Sequence, residues 1–254
     1  MTENIMKTNK YSWIMLFLMA IIFVSSCNKK DYLDSGIHDP IYNGTTMQFL
    51  ESRPELFDSL IRIIKIADLE QVINKPEMTF FAPANVTINK SIYQLNRQLY
   101  LLGQDTVKDL SQVDPKVWKK FLSRYILDGK YLLKDFPQLD TLNLDIYPGQ
   151  GYTSYAEEPV NIGVLYNDVV SKNSAGVEQV IKYAGYRQLY ISYVYNFSNE
   201  STATNFINAP VATSDLQTST GVLHVLNFSK HNFGFNAYEF SSTAYSTGIK
   251  PASK

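Results

Sequence analysis

The chain contains 254 residues, 45% of them hydrophobic, which is enough apolar material to bury a core and argues against global disorder. Its formal net charge is −1, so no strong electrostatic field attracts nucleic acid, and we expect no nucleic-acid partner. A single cysteine excludes an intrachain disulfide and a zinc site built from several cysteines.

The N-terminus has the pattern of an export signal. Lys7 and Lys10 precede an apolar run over residues 13–24, which is shorter than the roughly 20 residues that span a bilayer. Residues 24–27, Val-Ser-Ser-Cys, resemble a bacterial lipobox, in which the cysteine is lipidated and becomes the first mature residue. The sequence therefore predicts a lipoprotein signal peptide over residues 1–26. An uncleaved anchor with an incidental cysteine is the alternative.

Lipidation at Cys27 predicts where the mature chain resides. Two or more acyl chains give stable membrane attachment, so we expect an exported protein anchored in a membrane, at the outer membrane or the cell surface. Residues 27–44 contain glycine and proline but few apolar side chains, and they are interpreted as a tether or linker.

The first half of the mature chain is predicted to be mainly helical. Residues 45–46 supply a threonine cap for a short helix, and Pro54 opens a longer one because proline is tolerated in the first turn. Asp114 and Pro115 provide a cap and a first-turn proline for another helix, which Gly129 is predicted to end.

After about residue 138 the segments become short, aromatic and β-branched, which favours strands. The predicted strands are residues 160–166, 177–183, 187–197 and 221–228. Helices followed by strands are typical of an α+β domain. Residues 232–254, which are aromatic and then rich in serine and threonine, are predicted to be a C-terminal tail with a loose end.

Three segments in chain order resemble the fasciclin (FAS1) family. They are residues 79–85, residues 121–131 and residues 220–227. The motif positions that carry the resemblance are Thr79, Phe81, Ala82, Pro83, Asn85, Tyr125, Gly221 and His224. The resemblance covers residues 45–231 and implies a β-wedge or sandwich flanked by helices. Members of the family usually act in adhesion or extracellular binding, so it also implies a non-catalytic role.

Two features depart from the family pattern. The family often has a Tyr-His pair in the central segment, whereas this chain has Tyr125 followed by Ile126, so the integrin-binding role of that neighbourhood in some animal members is not transferred. The stretch over about residues 140–207 is longer than the family needs, and it is interpreted as an extended, tyrosine-rich β insertion.

The tyrosines of this insertion form a candidate binding surface, because a tyrosine offers an apolar face and a polar tip. An exposed row of them can stack on sugar rings or contact a protein partner. The alternative is that these rings pack the insertion onto the domain, since half of any strand faces inward. The candidates are Tyr152, Tyr155, Tyr186, Tyr190, Tyr193 and Tyr195.

Patterns for catalysis and metal binding are weak. The three histidines lack the short spacings of a zinc site, and His224 is interpreted as a hydrogen-bonded structural residue. The sequence contains no G-x-S-x-G elbow and no glycine-rich phosphate loop. Glu157 and Glu158 with Asp145 can be considered as a hydrolase acid pair, but adjacent glutamates before a proline are typical of a solvated turn. We therefore expect no enzyme activity, no metal and no cofactor.

Two functional hypotheses remain. The first is a lipid-anchored, non-catalytic FAS1 domain that mediates adhesion or protein–protein contact. The alternative is a surface glycan-binding lipoprotein associated with polysaccharide uptake.

Overall fold

The computed structural model describes residues 40–195 and 206–251. The predicted signal peptide, Cys27 and most of the predicted tether lie outside the described residues, as does the end of the predicted strand over residues 187–197. The described residues belong to one compact unit.

The helices of the described residues lie mostly before the strands in the chain, with one at the C-terminal end. They are α1 (Thr46–Glu51), α2 (Pro54–Ile66), α3 (Glu70–Ile73), α4 (Asn85–Leu101), α5 (Pro115–Ser123) and α6 (Ala237–Thr247). Two short 3-10 turns also occur, Leu110–Gln112 between α4 and α5 and Leu133–Asp135 further along, among the strands.

The strands form one large sheet and one small ribbon. They are β1 (Met78–Ala82), β2 (Ile126–Asp128), β3 (Gln138–Leu139), β4 (Gln150–Thr153), β5 (Pro159–Tyr166), β6 (Val169–Lys172), β7 (Glu178–Ile181), β8 (Arg187–Val194), β9 (Phe206–Gln217) and β10 (Gly221–Leu226). The eight-stranded sheet has the order β2-β1-β10-β9-β8-β5-β3, with β4 also paired to β5. Strands β6 and β7 pair only with each other within this topology.

Two of the predicted helix starts are confirmed. The Thr45 hydroxyl accepts a hydrogen bond from the Gln48 backbone N–H at 3.2 Å, and the Asp114 carboxylate accepts one from the Lys116 N–H at 2.9 Å. The predicted stop at Gly129 is wrong, because α5 already ends at Ser123. The next residues leave the helix to pair with β1, so long-range sheet pairing replaces about one and a half further helical turns.

The core lies between the sheet and the helices. Phe57, Leu60, Ile63 and Ile64 repeat at helical spacing along α2 and are all buried, and every residue of β1 is buried as well. A strand buried on both faces reads as a continuous apolar run, which explains the composition Met-Thr-Phe-Phe-Ala of β1.

The C-terminal tail predicted over residues 232–254 contains the helix α6 instead. Asn236 caps α6, and the Phe240 side chain is fully buried, with its ring centroid 5.2 Å from that of Trp118. The prediction failed because α6 is rich in serine and threonine, which are poor helix formers, so packing rather than propensity stabilises it.

The predicted insertion over about residues 140–207 is largely part of the main sheet. Among its described strands, β4, β5 and β8 belong to that sheet, whereas β6 and β7 stand outside it. The reason is burial, since Ile162 of β5 lies opposite Ile191 of β8 and both side chains are fully buried. Within the described residues, the strands of this stretch that lie outside the main sheet form a two-stranded projection, which we call the ribbon (residues 169–181).

The last residues of the predicted tether contact the domain. The Gln217 N–H donates to the Pro40 carbonyl at 2.6 Å, and the Tyr42 N–H donates to the Gln217 carbonyl at 2.8 Å. These bonds place the N-terminal entry of the described chain beside the end of β9. Across residues 40–195 and 206–251, no helix has the length and apolar character required to span a bilayer.

Candidate functional site

A groove crosses β8 and β9 beside the base of the ribbon. Its volume is about 470 Å³, which lies within the usual range of ligand pockets. The lining combines aromatic, amide and cationic side chains: Tyr186, Gln188, Tyr190, Asn208, Asn227 and Lys230. These residues meet because β8, β9 and β10 are consecutive in the sheet, and sequence analysis identified only the two tyrosines among them.

The ribbon exposes apolar side chains on both of its faces. All residues of β6 and β7 are exposed. Val170 lies opposite Val180 on one face, with 58% and 47% of their surfaces exposed. Val169 lies opposite Ile181 on the other face, with 38% and 58% exposed. Each face of the ribbon therefore carries an exposed pair of apolar side chains.

The base of the ribbon is fastened to the domain by side chains. The Tyr183 hydroxyl donates to the Asp140 carboxylate at 3.0 Å, and the Tyr183 ring packs edge-on against Tyr147, with centroids 5.3 Å apart. Lys182 forms an ion pair with Asp168 at 2.7 Å. The ribbon is therefore held at its root while its strands remain open to solvent.

The six candidate tyrosines do not form one row. Three of them are exposed, namely Tyr155, Tyr186 and Tyr195. The other three are half-buried, namely Tyr152, Tyr190 and Tyr193. The ring of Tyr193 covers the guanidinium carbon of Arg124 at 4.0 Å from its centroid, and Tyr152 packs edge-on against Phe136. Of the six, Tyr186 and Tyr190 line the groove.

The three segments that resemble the fasciclin family form adjacent strands. Strand β1 pairs in parallel with β10, with Phe80 opposite Leu223, and pairs antiparallel with β2 on its other side. Gly221 lies opposite Met78, and a Cβ at Gly221 would approach the Met78 carbonyl oxygen to 2.0 Å. Only a glycine fits this position without moving the backbone, because that separation is far below van der Waals contact.

The family model of the fasciclin domain matches residues 55–228. The chain belongs to the fasciclin domain family. Among solved structures, this FAS1 domain is similar to a FAS1 domain pair from the insect cell adhesion molecule fasciclin I, with a TM-score of 0.42 and 16% identity over 72% of this chain. The chain covers 49% of that insect chain, about half its length. The comparison with curated proteins found no match.

Family membership confirms the predicted fold class, a FAS1-like α+β fold of helices and a curled sheet. The motif residues of the FAS1 domain connect its elements. The Thr79 hydroxyl donates to the Gly129 carbonyl at 2.7 Å and accepts from the Tyr131 N–H at 2.9 Å. The Asn85 side chain accepts from the Ser59 N–H at 2.8 Å, which ties the start of α4 to α2. Ala82 and Pro83 are buried at the end of β1.

His224 lies inside the FAS1 domain against the ring of Phe81, with centroids 4.9 Å apart. Its Nδ1 accepts from the Asp215 N–H at 3.2 Å, and its Nε2 donates to the Tyr131 carbonyl at 3.1 Å. Burial lowers the pKa of His224 to about 4, against a partial opposing effect of the Tyr131 carbonyl. The imidazole is therefore neutral at pH 7, and both of its nitrogens have hydrogen-bond partners in the protein.

Tyr125 anchors the segment after β10. Its hydroxyl accepts from the Gly234 N–H at 2.7 Å and forms a second hydrogen bond, also of 2.7 Å, with His231 Nε2. Its ring stacks on Phe235 with centroids 4.8 Å apart. Burial is the main cause that lowers the pKa of His231 to about 3, with Lys90 adding to the effect. Sequence analysis did not anticipate this use of His231.

Arg124 is fully buried and was not singled out in the sequence. Its Nε donates to the Glu158 carboxylate at 2.6 Å, and its Nη1 and Nη2 donate to the Glu239 carboxylate at 3.0 and 2.5 Å. Nη2 also donates to the Tyr193 hydroxyl at 3.0 Å. The guanidinium lies between the rings of Tyr193 and Phe121, 4.0 and 4.5 Å from their centroids. This arrangement joins α5, β8 and α6.

The carboxylates considered for hydrolysis are not arranged as an acid pair. Glu158 is bound by Arg124, whereas Glu157 and Asp145 are exposed. Within residues 40–195 and 206–251, no three His, Cys, Asp or Glu side chains are grouped as metal ligands would be. The family is generally non-enzymatic.

Proposed function

We propose that this protein is a non-catalytic FAS1 module, anchored outside the cytoplasm by acyl chains on Cys27, that mediates adhesion or protein–protein contact. The ribbon is the observation that carries the contact function. An isolated two-stranded ribbon is marginally stable in water, and apolar pairs on both of its faces gain stability when a partner covers them.

Two features make the ribbon suited to contact. Its fastening through Tyr183 and Asp140 limits the conformational entropy lost on binding, because the root is already ordered. Its tip carries Lys172 opposite Glu178, a polar cross-strand pair beyond the apolar ones. An apolar centre bordered by charged groups is the usual anatomy of a protein interface.

The anchor is tested by replacing its attachment residue. Each buried methylene of an acyl chain contributes about 0.8 kcal/mol, so loss of the chains removes the main membrane affinity. We expect Cys27→Ala to transfer most of the protein from the membrane pellet to the soluble fraction of lysed cells, whereas Ser26→Ala keeps it in the pellet. Mass analysis of native material should show an acylated residue 27 at the chain start. An unmodified thiol there would contradict the anchor.

The contact function is tested on the ribbon. Val180→Lys places a charge in the apolar face, and Val86→Lys on α4 is a matched control because the two valines are 47% and 46% exposed. We expect Val180→Lys to reduce the recovery of cross-linked neighbours from intact cells at least about fivefold, or about 1 kcal/mol, with Val86→Lys unchanged. Both variants should unfold at the wild-type urea concentration. Equal recovery from both variants argues against the ribbon.

Surface glycan binding associated with polysaccharide uptake is the second candidate function. The groove beside the ribbon favours it, because two tyrosines and several amides converge there.

A further inference from the structure

The groove presents hydrogen-bond donors with fixed orientation. The Asn208 Oδ1 accepts from the Ser192 hydroxyl at 2.6 Å, and the Asn227 Oδ1 accepts from the Ser229 N–H at 3.0 Å and hydroxyl at 2.7 Å. Because each oxygen is engaged, each amide directs its NH2 group away from these contacts. Both side chains line the groove, so both supply donors for a ligand.

The aromatic side of the groove is also held in place. The Asn167 backbone N–H and its Nδ2 both donate to the Tyr186 carbonyl, at 3.0 and 2.9 Å. Tyr186 is 68% exposed as a residue, above this fixed backbone. The Tyr190 hydroxyl lies 3.5 Å from Gln188 Oε1, a long contact that leaves it capable of stronger bonds to a ligand. The two tyrosines are close enough for Tyr186 to raise the pKa of Tyr190, in addition to burial.

The charge of the groove indicates the sign of its ligand. Lys230 is its charged lining residue, and among the described residues that line it none is a carboxylate. Lys230 also forms no ion pair with the described residues. A lysine without a protein partner, beside amide donors, favours a ligand that carries a carboxylate or sulfate group.

We propose that this groove binds an acidic polysaccharide, with a sugar ring against Tyr186, ring hydroxyls hydrogen-bonded by Asn208 and Asn227, and a uronate or sulfate group at Lys230. A pyranose has an apolar CH face and a polar rim, which match an exposed tyrosine ring flanked by amides. The inference rests on the second candidate function and depends on neither the lipid anchor nor the ribbon.

Affinity electrophoresis tests the proposal with full-length protein purified in a non-ionic detergent. The gels contain polygalacturonate, alginate or chondroitin sulfate, and neutral dextran or mannan for comparison. We expect at least one acidic polymer to retard the protein, with a dissociation constant that rises at least about tenfold in Tyr186→Ala. Tyr238→Ala on α6 is the matched control, because Tyr238 is 69% exposed and does not line the groove.

The remaining variants separate the parts of the proposal. Lys230→Gln should weaken binding to the acidic polymer and reduce its dependence on salt, while a ribbon variant, Val180→Lys, should bind as wild type. Retardation by none of the acidic polymers, or equal retardation of Tyr186→Ala and wild type, overturns the proposal. Preference for a neutral polymer overturns the role of Lys230. If Val180→Lys does not reduce cross-linking, the electrophoresis results are unaffected. The ribbon hypothesis and the groove hypothesis can therefore be contradicted independently.

Discussion

Replacing Arg124 by methionine is expected to lower the free energy of unfolding by about 3–5 kcal/mol. The substitution keeps the aliphatic bulk but leaves the carboxylates of Glu158 and Glu239, with 26% and 20% of their side chains exposed, without their buried partner. It also removes the cation between the rings of Phe121 and Tyr193. Since Arg124 joins α5 to α6, we expect α6 to lose hydrogen-exchange protection first.

An exposed ion pair between an arginine and a carboxylate is the control for this prediction. Arg62 pairs with Asp109, and their side chains are 46% and 47% exposed. Exposed pairs contribute less than about 1 kcal/mol, so Arg62→Met should be close to wild type in urea denaturation. Arg124→Met combined with Glu158→Gln and Glu239→Gln should recover part of the loss, because no buried charge is left unpaired. A cost for Arg124→Met no larger than for Arg62→Met would contradict the structural role.

Acidification from pH 7 to pH 5 is expected to lower the free energy of unfolding by about 4 kcal/mol through His224 and His231. Their folded pKa values, about 4 and about 3, lie below the ordinary value of 6.5. Between pH 7 and pH 5 the two histidines bind protons in the unfolded chain but stay neutral in the folded chain, so the free energy of unfolding falls as the pH falls. Each histidine contributes about 2 kcal/mol at pH 5, because that pH lies about 1.5 units below the unfolded pKa.

The measurement is urea denaturation of the full-length chain at both pH values. His224→Gln and His231→Gln should each remove about half of the pH effect, and the double variant should remove nearly all of it. His38 is present in every variant and does not affect the comparison. Asp109, whose pKa is lowered chiefly by hydrogen bonds from Ser111, loses its contribution only below about pH 4. Equal stability at pH 7 and pH 5 would show that these histidines are not buried as neutral groups.

Local structural features that depend only on residues close in the sequence could be predicted. The caps at Thr45 and Asp114 depend on contacts within three residues, and both are confirmed. The pairing of β1 with β10 has no local signal, because the two strands are far apart in the sequence. At Gly129 the local signal was misleading. A glycine is a good helix stop, but here it follows the strand β2, because the residues before it form hydrogen bonds with β1 instead of continuing the helix.

The candidate site could be predicted only in part. Tyr186 and Tyr190 were named because tyrosines are conspicuous in the strand-rich region. Asn208 and Lys230 belong to other parts of the chain, and nothing in the sequence indicates that they meet at one groove. In the sequence, Arg124 resembles a solvated helix residue beside Lys120. Its burial depends on Glu239, which belongs to α6, a helix in the segment that was predicted to be a tail.

The parallel pairing of β1 with β10 has a consequence for the order in which the chain can mature. One hydrogen-bonding edge of β1 stays vacant until residues 221–226 are available, and α6 follows later still. A polypeptide that emerges from a ribosome or a translocation pore N-terminus first therefore cannot close this core until residues 221–247 have passed. Such a topology keeps the nascent polypeptide unfolded while it passes. It also makes the final folding step slow, because that step joins residues far apart in the sequence.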